Sequence, residues 1–200
     1  MKALPLVAVL LAAAALTGCA SQQIGAHQSS LSTVELVRKA SIASVGVGEF
    51  KAAPELPAAH DKSVSLRLST ISSPTAGSFA AYLRESLITE LRTAGRYDAA
   101  ASTVINGQLT HNELNAAGAS TGKSKVAARF AVSRGGTVVY DKLITAQHEW
   151  SSSFIGAIAI PEAINQYTNM YTRLIEQLFG DQEFTAALAG GEGNSHKRGL

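Results

Sequence analysis

The histidines are the first candidates for chemistry in this chain, because imidazole serves both as a metal ligand and as a general base. The five histidines stand far apart in unlike contexts, at His27, His60, His111, His148 and His196. Only His111 and His148 fall on segments that alternate like strands, and a zinc site needs a third ligand that is not evident near either. His148 is also not followed by the second histidine that a zinc-protease helix carries four residues later. We therefore predict no metal site.

Nucleophile and phosphate-binding patterns are incomplete. The serine run at 151–153 lacks the strand-turn-helix glycine context of a nucleophile elbow. Gly46-Val47-Gly48 is followed by no third glycine, and Gly122-Lys123 has no upstream glycine at phosphate-loop spacing. The sequence therefore predicts no catalytic residue and no cofactor, and we expect the protein not to be an enzyme.

Cys19 is the only cysteine of the chain. It follows the three zones of an export signal, which are a basic Lys2, an apolar run from Ala3 to about Leu16, and small residues at the cut. The apolar run has roughly 14 residues, fewer than the roughly 20 that cross a bilayer as a helix. We therefore predict a signal peptide over residues 1–18.

The sequence Leu16-Thr17-Gly18-Cys19 resembles the lipobox of bacterial lipoproteins. This resemblance implies cleavage before Cys19, a diacylglycerol on its thiol and a further acyl chain, such as palmitate, on its amine. The resemblance also implies that Ala20, where an aspartate would favour retention in the inner membrane, directs the protein to the outer membrane, facing the periplasm. An ordinary export signal with an incidental cysteine is the alternative.

Composition divides the remaining chain into three parts. Residues 19–33 are rich in Ser, Gln, Ala and Gly, which predicts a flexible tether. Residues 34–189 predict a single α+β domain, and the glycine-rich residues 190–200 predict a disordered tail. The formal net charge of +2 falls to roughly +1 without Lys2, too little for a nucleic-acid-binding domain. We therefore expect no nucleic-acid partner.

Hydrophobic periodicity predicts the elements of the domain. Small and β-branched residues predict a strand at about 43–50, and period-two alternation predicts strands at about 64–68, 105–111 and 126–132. A fifth strand is predicted at about 138–150. One helix is predicted between a Ser78 cap and Gly95, with Glu90 on its solvated face, and a second between Pro161 and Gly180. Asp181 is predicted to start a short final helix. The order favours an α+β two-layer sandwich, with a mixed, mainly antiparallel sheet of about five strands and two helices on one face.

An apolar segment, residues 154–160, occupies a connection where polar residues are usual. Together with Trp150 it predicts either a cover over the end of the core or a docking surface for a partner protein or lipid. The candidate contact residues are Trp150, Phe154, Ile155 and Ile158.

The layout resembles small periplasmic lipoproteins of envelope transport systems, namely the lipopolysaccharide-assembly lipoproteins and the auxiliary lipoproteins of ABC-type lipid transporters. The resemblance is carried by the lipobox, the helix Phe79-Ala80-Ala81-Tyr82-Leu83-Arg84-Glu85-Ser86-Leu87 and the strand Ile105-Asn106-Gly107-Gln108-Leu109. It implies a non-catalytic, lipid-anchored accessory protein that binds an envelope protein or lipid during outer-membrane assembly or transport. The alternatives are a lipid or small-ligand carrier, with a pocket lined by residues such as Phe130 and Tyr171, and, less favoured, an envelope hydrolase. The oligomeric state stays open.

Overall fold

A computed structural model describes residues 21–189 of the chain, with gaps at 68 and 119. The predicted signal peptide, Cys19 and the predicted tail at 190–200 lie outside the described residues. The helices are α1 (Leu31–Lys39), α2 (Ala58–Lys62), α3 (Phe79–Ala94), α4 (Gly156–Gly180) and α5 (Gln182–Ala189). The strands are β1 (Ser21–Gln23), β2 (Gly46–Ala52), β3 (Ser63–Leu66), β4 (Ser69–Ser72), β5 (Thr103–Asn115), β6 (Thr121–Arg134) and β7 (Thr137–Ser151).

The larger sheet has four strands in the order β2-β5-β6-β7. Strands β5, β6 and β7 form an antiparallel meander, while β2 pairs parallel to β5. The β6–β7 hairpin turns at Gly135 and Gly136, which both have positive φ, a conformation that glycine adopts without steric cost. Alternate residues of β6 form the core face, and these residues are Val126, Ala128, Phe130 and Val132.

Helices α3 and α4 pack on the same sheet, α3 against β2 and β5 and α4 against β6 and β7. The α+β class and the two long helices agree with the sequence. The prediction of one sheet of about five strands is wrong, because the described residues form two mixed sheets, of four and three strands. These residues also form five helices, rather than the two long helices and one short helix predicted.

The second sheet has three strands in the order β1-β4-β3. The single strand predicted at 64–68 is in fact the β3–β4 hairpin, in which Leu66 opposes Ser69. Arg67 makes this reversal with a φ of 54°. The period of two gave no sign of the turn, because arginine rarely adopts the left-handed region and no glycine or proline marks the position.

The long helices begin and end by different chemistry. In α3 the Ser78 hydroxyl accepts the N–H of Ala81 at 3.1 Å, and Gly95 ends the helix with a φ of 73°, as predicted. Helix α4 begins at Gly156, so Pro161 lies inside it rather than in its first turn. Residues 156–160 of the apolar segment are thus the first part of a helix, and residues 154 and 155 precede it.

The final helix is as the sequence predicts. The Asp181 carboxylate accepts the N–H groups of Glu183 at 2.8 Å and Phe184 at 3.1 Å, which caps α5. Phe184 and Leu188 are fully buried. Phe184 packs edge-on against Tyr140 and Phe179, so α5 closes one end of the core.

Residues 21–33 differ from the predicted flexible tether. Strand β1 pairs parallel with β4, with Ser21 opposite Thr70. Ile24 is 2% exposed, and α1 begins at Leu31. Composition did not predict this packing, because the segment is mostly polar. A few buried side chains and backbone pairing with β4 are enough to hold it against the domain. We call residues 21–30 the N-terminal arm.

Candidate functional site

Arg67 organises one end of the domain. Its guanidinium donates to three carbonyl oxygens, those of Ala116 at 3.1 Å, Ser153 at 2.8 Å and Phe154 at 3.3 Å. The tip of the β3–β4 hairpin, the loop after β5 and the connection from β7 to α4 therefore meet at one side chain. A planar guanidinium with several fixed donors suits this role.

Three apolar side chains project from this junction into solvent. Phe154 is 80% exposed, and Ile155 and Ile158 are each 59% exposed. We call these three residues the apolar patch. Their backbone is fixed, because the Ser153 hydroxyl accepts the N–H of Ile155 at 3.1 Å and the Ile155 carbonyl accepts the N–H of Ile158 at 3.0 Å. Phe154 and Ile155 directly precede α4 and Ile158 lies in its first turn, so the patch spans the entry to this helix.

Trp150, the fourth candidate contact residue, lies elsewhere. It is 7% exposed, on the core side of β7. Its indole covers Gly122 of β6, where a Cβ would overlap the ring, and His148 stacks beside it at 6.1 Å between ring centroids. Trp150 therefore packs under the end of the sheet and presents little surface to a partner.

The N-terminal arm begins at the same end of the domain as the apolar patch. Ser21 pairs with Thr70, which follows the hairpin tip formed by Arg67. From there the arm runs along α3, where the Tyr82 hydroxyl donates to the Gly25 carbonyl at 3.2 Å. The arm then reaches Glu90 near the far end of α3.

Glu90 is completely buried, which corrects the prediction that it lies on a solvated face. One of its carboxylate oxygens, Oε1, lies 2.8 Å from Nε2 of His27 and accepts the N–H of Ser30 at 3.0 Å. The other oxygen, Oε2, has no hydrogen-bond partner among the described residues. A buried carboxylate with these partners fastens the arm to α3.

A second buried polar cluster lies under α4. The Asn112 carbonyl oxygen accepts from the hydroxyls of Tyr167 at 2.6 Å and Tyr171 at 3.0 Å, and its amide donates to the His60 carbonyl at 2.7 Å. Burial raises the pKa of both phenols well above the ordinary value. The hydroxyls therefore stay protonated and act as hydrogen-bond donors that join α4 to β5 and α2.

Phe130 and Tyr171, the expected lining of a carrier pocket, are fully buried core residues. Tyr171 packs against Phe79, Tyr82 and Tyr167, with ring centroids 5.0 to 6.0 Å apart. Phe130 contacts Phe50 at 6.1 Å. These contacts are those of a packed core rather than of a pocket lining.

Two surface hollows lie on the face of the larger sheet opposite the helices. The larger, of about 530 Å³, is lined by Glu113, Lys123, Lys125 and Glu149 among others. Charges in both hollows pair across strands, Lys123 with Glu149 at 3.0 Å and Arg129 with Asp141 at 2.7 Å. Paired opposite charges of this kind are typical of a solvated sheet face.

The candidate metal ligands do not converge. His111 on β5 and His148 on β7 are separated by β6, because β5 and β7 are not neighbours in the sheet. His111 lies 3.0 Å from Glu113. Within the described part of the chain, no three His, Cys, Asp or Glu side chains are arranged to hold a metal ion. Among the same residues, no helix is both long and apolar enough to cross a membrane.

Comparison with known proteins gives a likeness of fold. No protein-family model matches the chain, and no curated protein is detectably similar in sequence. A crystal structure of a DUF330-family protein from Xanthomonas campestris superposes with a TM-score of 0.54 at 14% identity, covering 84% of this chain and 96% of that one. At this identity the likeness shows a shared fold, and function must be argued from the residues themselves.

Two further structures are more distant. A candidate lipoprotein from Caulobacter crescentus has a TM-score of 0.45 and 8% identity, covering 78% of this chain and 95% of that one. A hypothetical protein from Chlamydia trachomatis has a TM-score of 0.38 and 10% identity, covering 70% and 98% respectively.

Proposed function

We propose that this protein is a lipid-anchored accessory lipoprotein of the outer membrane, facing the periplasm. In this proposal it has no catalytic step, and it acts by binding an envelope protein or lipid during outer-membrane assembly or transport. The observation that carries the proposal is Leu16-Thr17-Gly18-Cys19 directly after a basic and apolar leader.

The arrangement of the domain supports a positioning role. Its buried polar clusters, Glu90 with His27 and Asn112 with two tyrosines, join helices to strands and to the arm. The most exposed large apolar side chain is Phe154, which belongs to the apolar patch. Exposed apolar side chains held on a rigid element are a common form of contact surface.

The test of the anchor is Cys19→Ala in the full-length chain, with Ser21→Ala as the matched control two residues later. We expect Cys19→Ala to lose incorporation of labelled palmitate and to leave the membrane fraction on carbonate washing, while Ser21→Ala retains both. A Cys19→Ala protein that stayed on carbonate-washed membranes would contradict the proposal.

The outer-membrane location has a separate test in Ala20→Asp. By the lipoprotein resemblance, this change moves the anchored protein from the outer-membrane to the inner-membrane fraction on a density gradient. If the natural protein and Ala20→Asp were distributed equally between the two membranes, the outer-membrane location would be contradicted, but the lipid anchor would not.

The partner is sought by crosslinking the lipidated protein in its own envelope and comparing the captured molecules with those captured by Cys19→Ala. We expect an envelope protein or lipid that is enriched only with the anchored form. Identical captures from both forms would contradict a role that depends on the anchor.

A further inference from the structure

The distance between the proposed anchor and the folded domain is very short. Cys19 precedes Ser21, the first residue of β1, by two residues. Two residues of extended chain span at most about 7 Å. Since an acylated cysteine sits at the level of the lipid headgroups, the start of β1 must lie at the membrane surface.

The apolar patch lies at this same end of the domain. Ser21 is opposite Thr70, and Thr70 is three residues from Arg67, a distance of roughly 10 Å or less along the chain. Arg67 in turn donates to the carbonyls of Ser153 and Phe154. The hairpin thus connects the anchored end of the arm directly to the patch.

The other highly exposed apolar residue of the helices is at the opposite end. Leu31 is 75% exposed, and its neighbour Ser32 bonds to Glu176, which is twenty residues along α4 from Gly156. A helix rises about 1.5 Å per residue, so Leu31 lies roughly 30 Å from the patch. Exposed apolar side chains therefore occur at both ends, but only one end is beside the anchor.

We infer that the apolar patch, Phe154, Ile155 and Ile158, inserts into the lipid bilayer surface beside the acylated Cys19 and fixes the orientation of the domain on the membrane. This inference rests on the proposed anchor. Cys19 stands only two residues before Ser21, so its acyl chains would place the bilayer within about 7 Å of β1, which favours the bilayer itself over a protein partner as the occupant. Apolar side chains of this kind bury about 5 to 10 Å into the headgroup boundary.

The acyl chains on Cys19 are sufficient for stable attachment, because dual acylation already holds a protein on a membrane. The patch adds a second point of contact, which fixes the rotation of the domain about its anchored end. Arg67 bonds to the backbone beside the patch and to the loop after β5, so the position of the patch determines the orientation of the whole domain.

The test uses the lipidated full chain carrying one introduced cysteine, Ile158→Cys or Leu31→Cys. Since Cys19 is the only native cysteine and its thiol is acylated, the introduced thiol alone takes an environment-sensitive nitrobenzoxadiazole label. The proteins are placed in vesicles of phosphatidylethanolamine and phosphatidylglycerol that carry a shallow nitroxide lipid. We expect blue-shifted, strongly quenched emission from position 158 and unquenched emission from position 31.

The possible outcomes are distinct. If the protein floats with the vesicles but position 158 is no more quenched than position 31, the inference is overturned and the anchor stands. If the protein does not acquire lipid or float, the proposed anchor fails and the inference fails with it. Quenching at both positions also overturns the inference, because it means that the domain takes no fixed orientation.

A second variant separates insertion from mere proximity. Adding Phe154→Ser to the labelled Ile158→Cys protein should remove most of the quenching at 158 and leave the melting temperature unchanged, because Phe154 is 80% exposed. In the unlipidated Cys19→Ala chain, the same change should weaken residual partitioning into these vesicles about tenfold. Unchanged quenching and partitioning would show that the patch only lies near the bilayer, against the inference.

Discussion

Glu90 shows how a single side chain can hold the start of the folded chain in place. The carboxylate is buried inside the domain and accepts hydrogen bonds from His27 and from the backbone of Ser30. Buried polar groups in such positions are stabilising only when their hydrogen-bond partners are in place. The pair therefore sets where the N-terminal arm lies on α3.

Replacing Glu90 with Ala should lower the free energy of unfolding by about 2 to 4 kcal/mol, because the Ser30 N–H and the His27 ring are left buried without an acceptor. The matched control is Glu85→Ala on the same helix. The Glu85 side chain is 46% exposed and its carboxylate pairs with Arg84 at the surface, so its loss should cost less than about 1 kcal/mol. Urea denaturation measures both, and equal losses would contradict a fastening role for Glu90.

The buried tyrosines predict how stability depends on alkaline pH. Burial raises the pKa of Tyr82 to about 12, and raises the pKa of Tyr167 and Tyr171 as well. Because the folded state holds these phenolic protons more tightly than the unfolded chain, their contribution is complete below pH about 10 and is lost as the pH rises above it.

We therefore expect stability to fall between about pH 10 and 12, the window set by the ordinary and the raised pKa of Tyr82. Phenolate absorbance should develop together with the loss of native circular dichroism. Tyr167→Phe should have one fewer late-titrating phenol. Full phenolate absorbance in a chain that is still folded would contradict this account.

At the scale of elements, Arg67 joins three segments that the sequence places far apart. Its guanidinium bonds to carbonyls after β5 and after β7, while its own backbone turns the β3–β4 hairpin. The start of α4 is therefore fixed by a hairpin on the other sheet. This connection gives the apolar patch a defined position.

Arg67→Ala should loosen the segments around 116–118 and 152–158, which are held by its donors, and cost about 1 to 3 kcal/mol of stability. Faster amide exchange in these two segments is the expected result. Arg38→Ala is the control, because Arg38 donates to a single exposed carbonyl, that of Thr93 at 3.2 Å. If exchange after β7 were the same in both variants, the connection would have another basis.

The sequence predicted those elements whose signals are local. Ser78 and Gly95 bound α3 by their own backbone chemistry, and the alternation of β6 identifies its core face without knowledge of the partner strands. The positive φ of Gly135 and Gly136 likewise follows from residue type.

The predictions that failed depend on residues distant in sequence. Glu90 looks solvated on a helical projection, because its partner His27 lies 63 residues away. The arm looks flexible by composition, because its order comes from pairing with β4. Within the candidate site, the apolar segment could be identified from the sequence alone. The burial of Trp150 could not, because it depends on Gly122 of the neighbouring strand.

At the scale of the whole molecule, the proposed anchor at Cys19 would stand two residues from β1 and would limit the position of the domain. A domain on a long flexible tether can sample many heights and orientations above a membrane. A domain that is held two residues from its anchor, with the arm packed along α3, has a much smaller range of heights and orientations. In the proposed function, the protein therefore presents one fixed side to any partner in the periplasm.

A spacer inserted between Ala20 and Ser21 tests this limit directly. Ten residues of Gly and Ser add a root-mean-square reach of about 16 to 19 Å, which separates the domain from the membrane without changing any packed residue. We expect unchanged palmitate labelling and melting temperature, weaker quenching of a label at position 158, and less partner captured by crosslinking. The control is a spacer of the same composition after Ala189, which adds chain but leaves the connection to Cys19 as it is. If the N-terminal spacer left both quenching and capture unchanged, the short connection would have no part in positioning the domain, and contacts of the patch or of a partner would be sufficient.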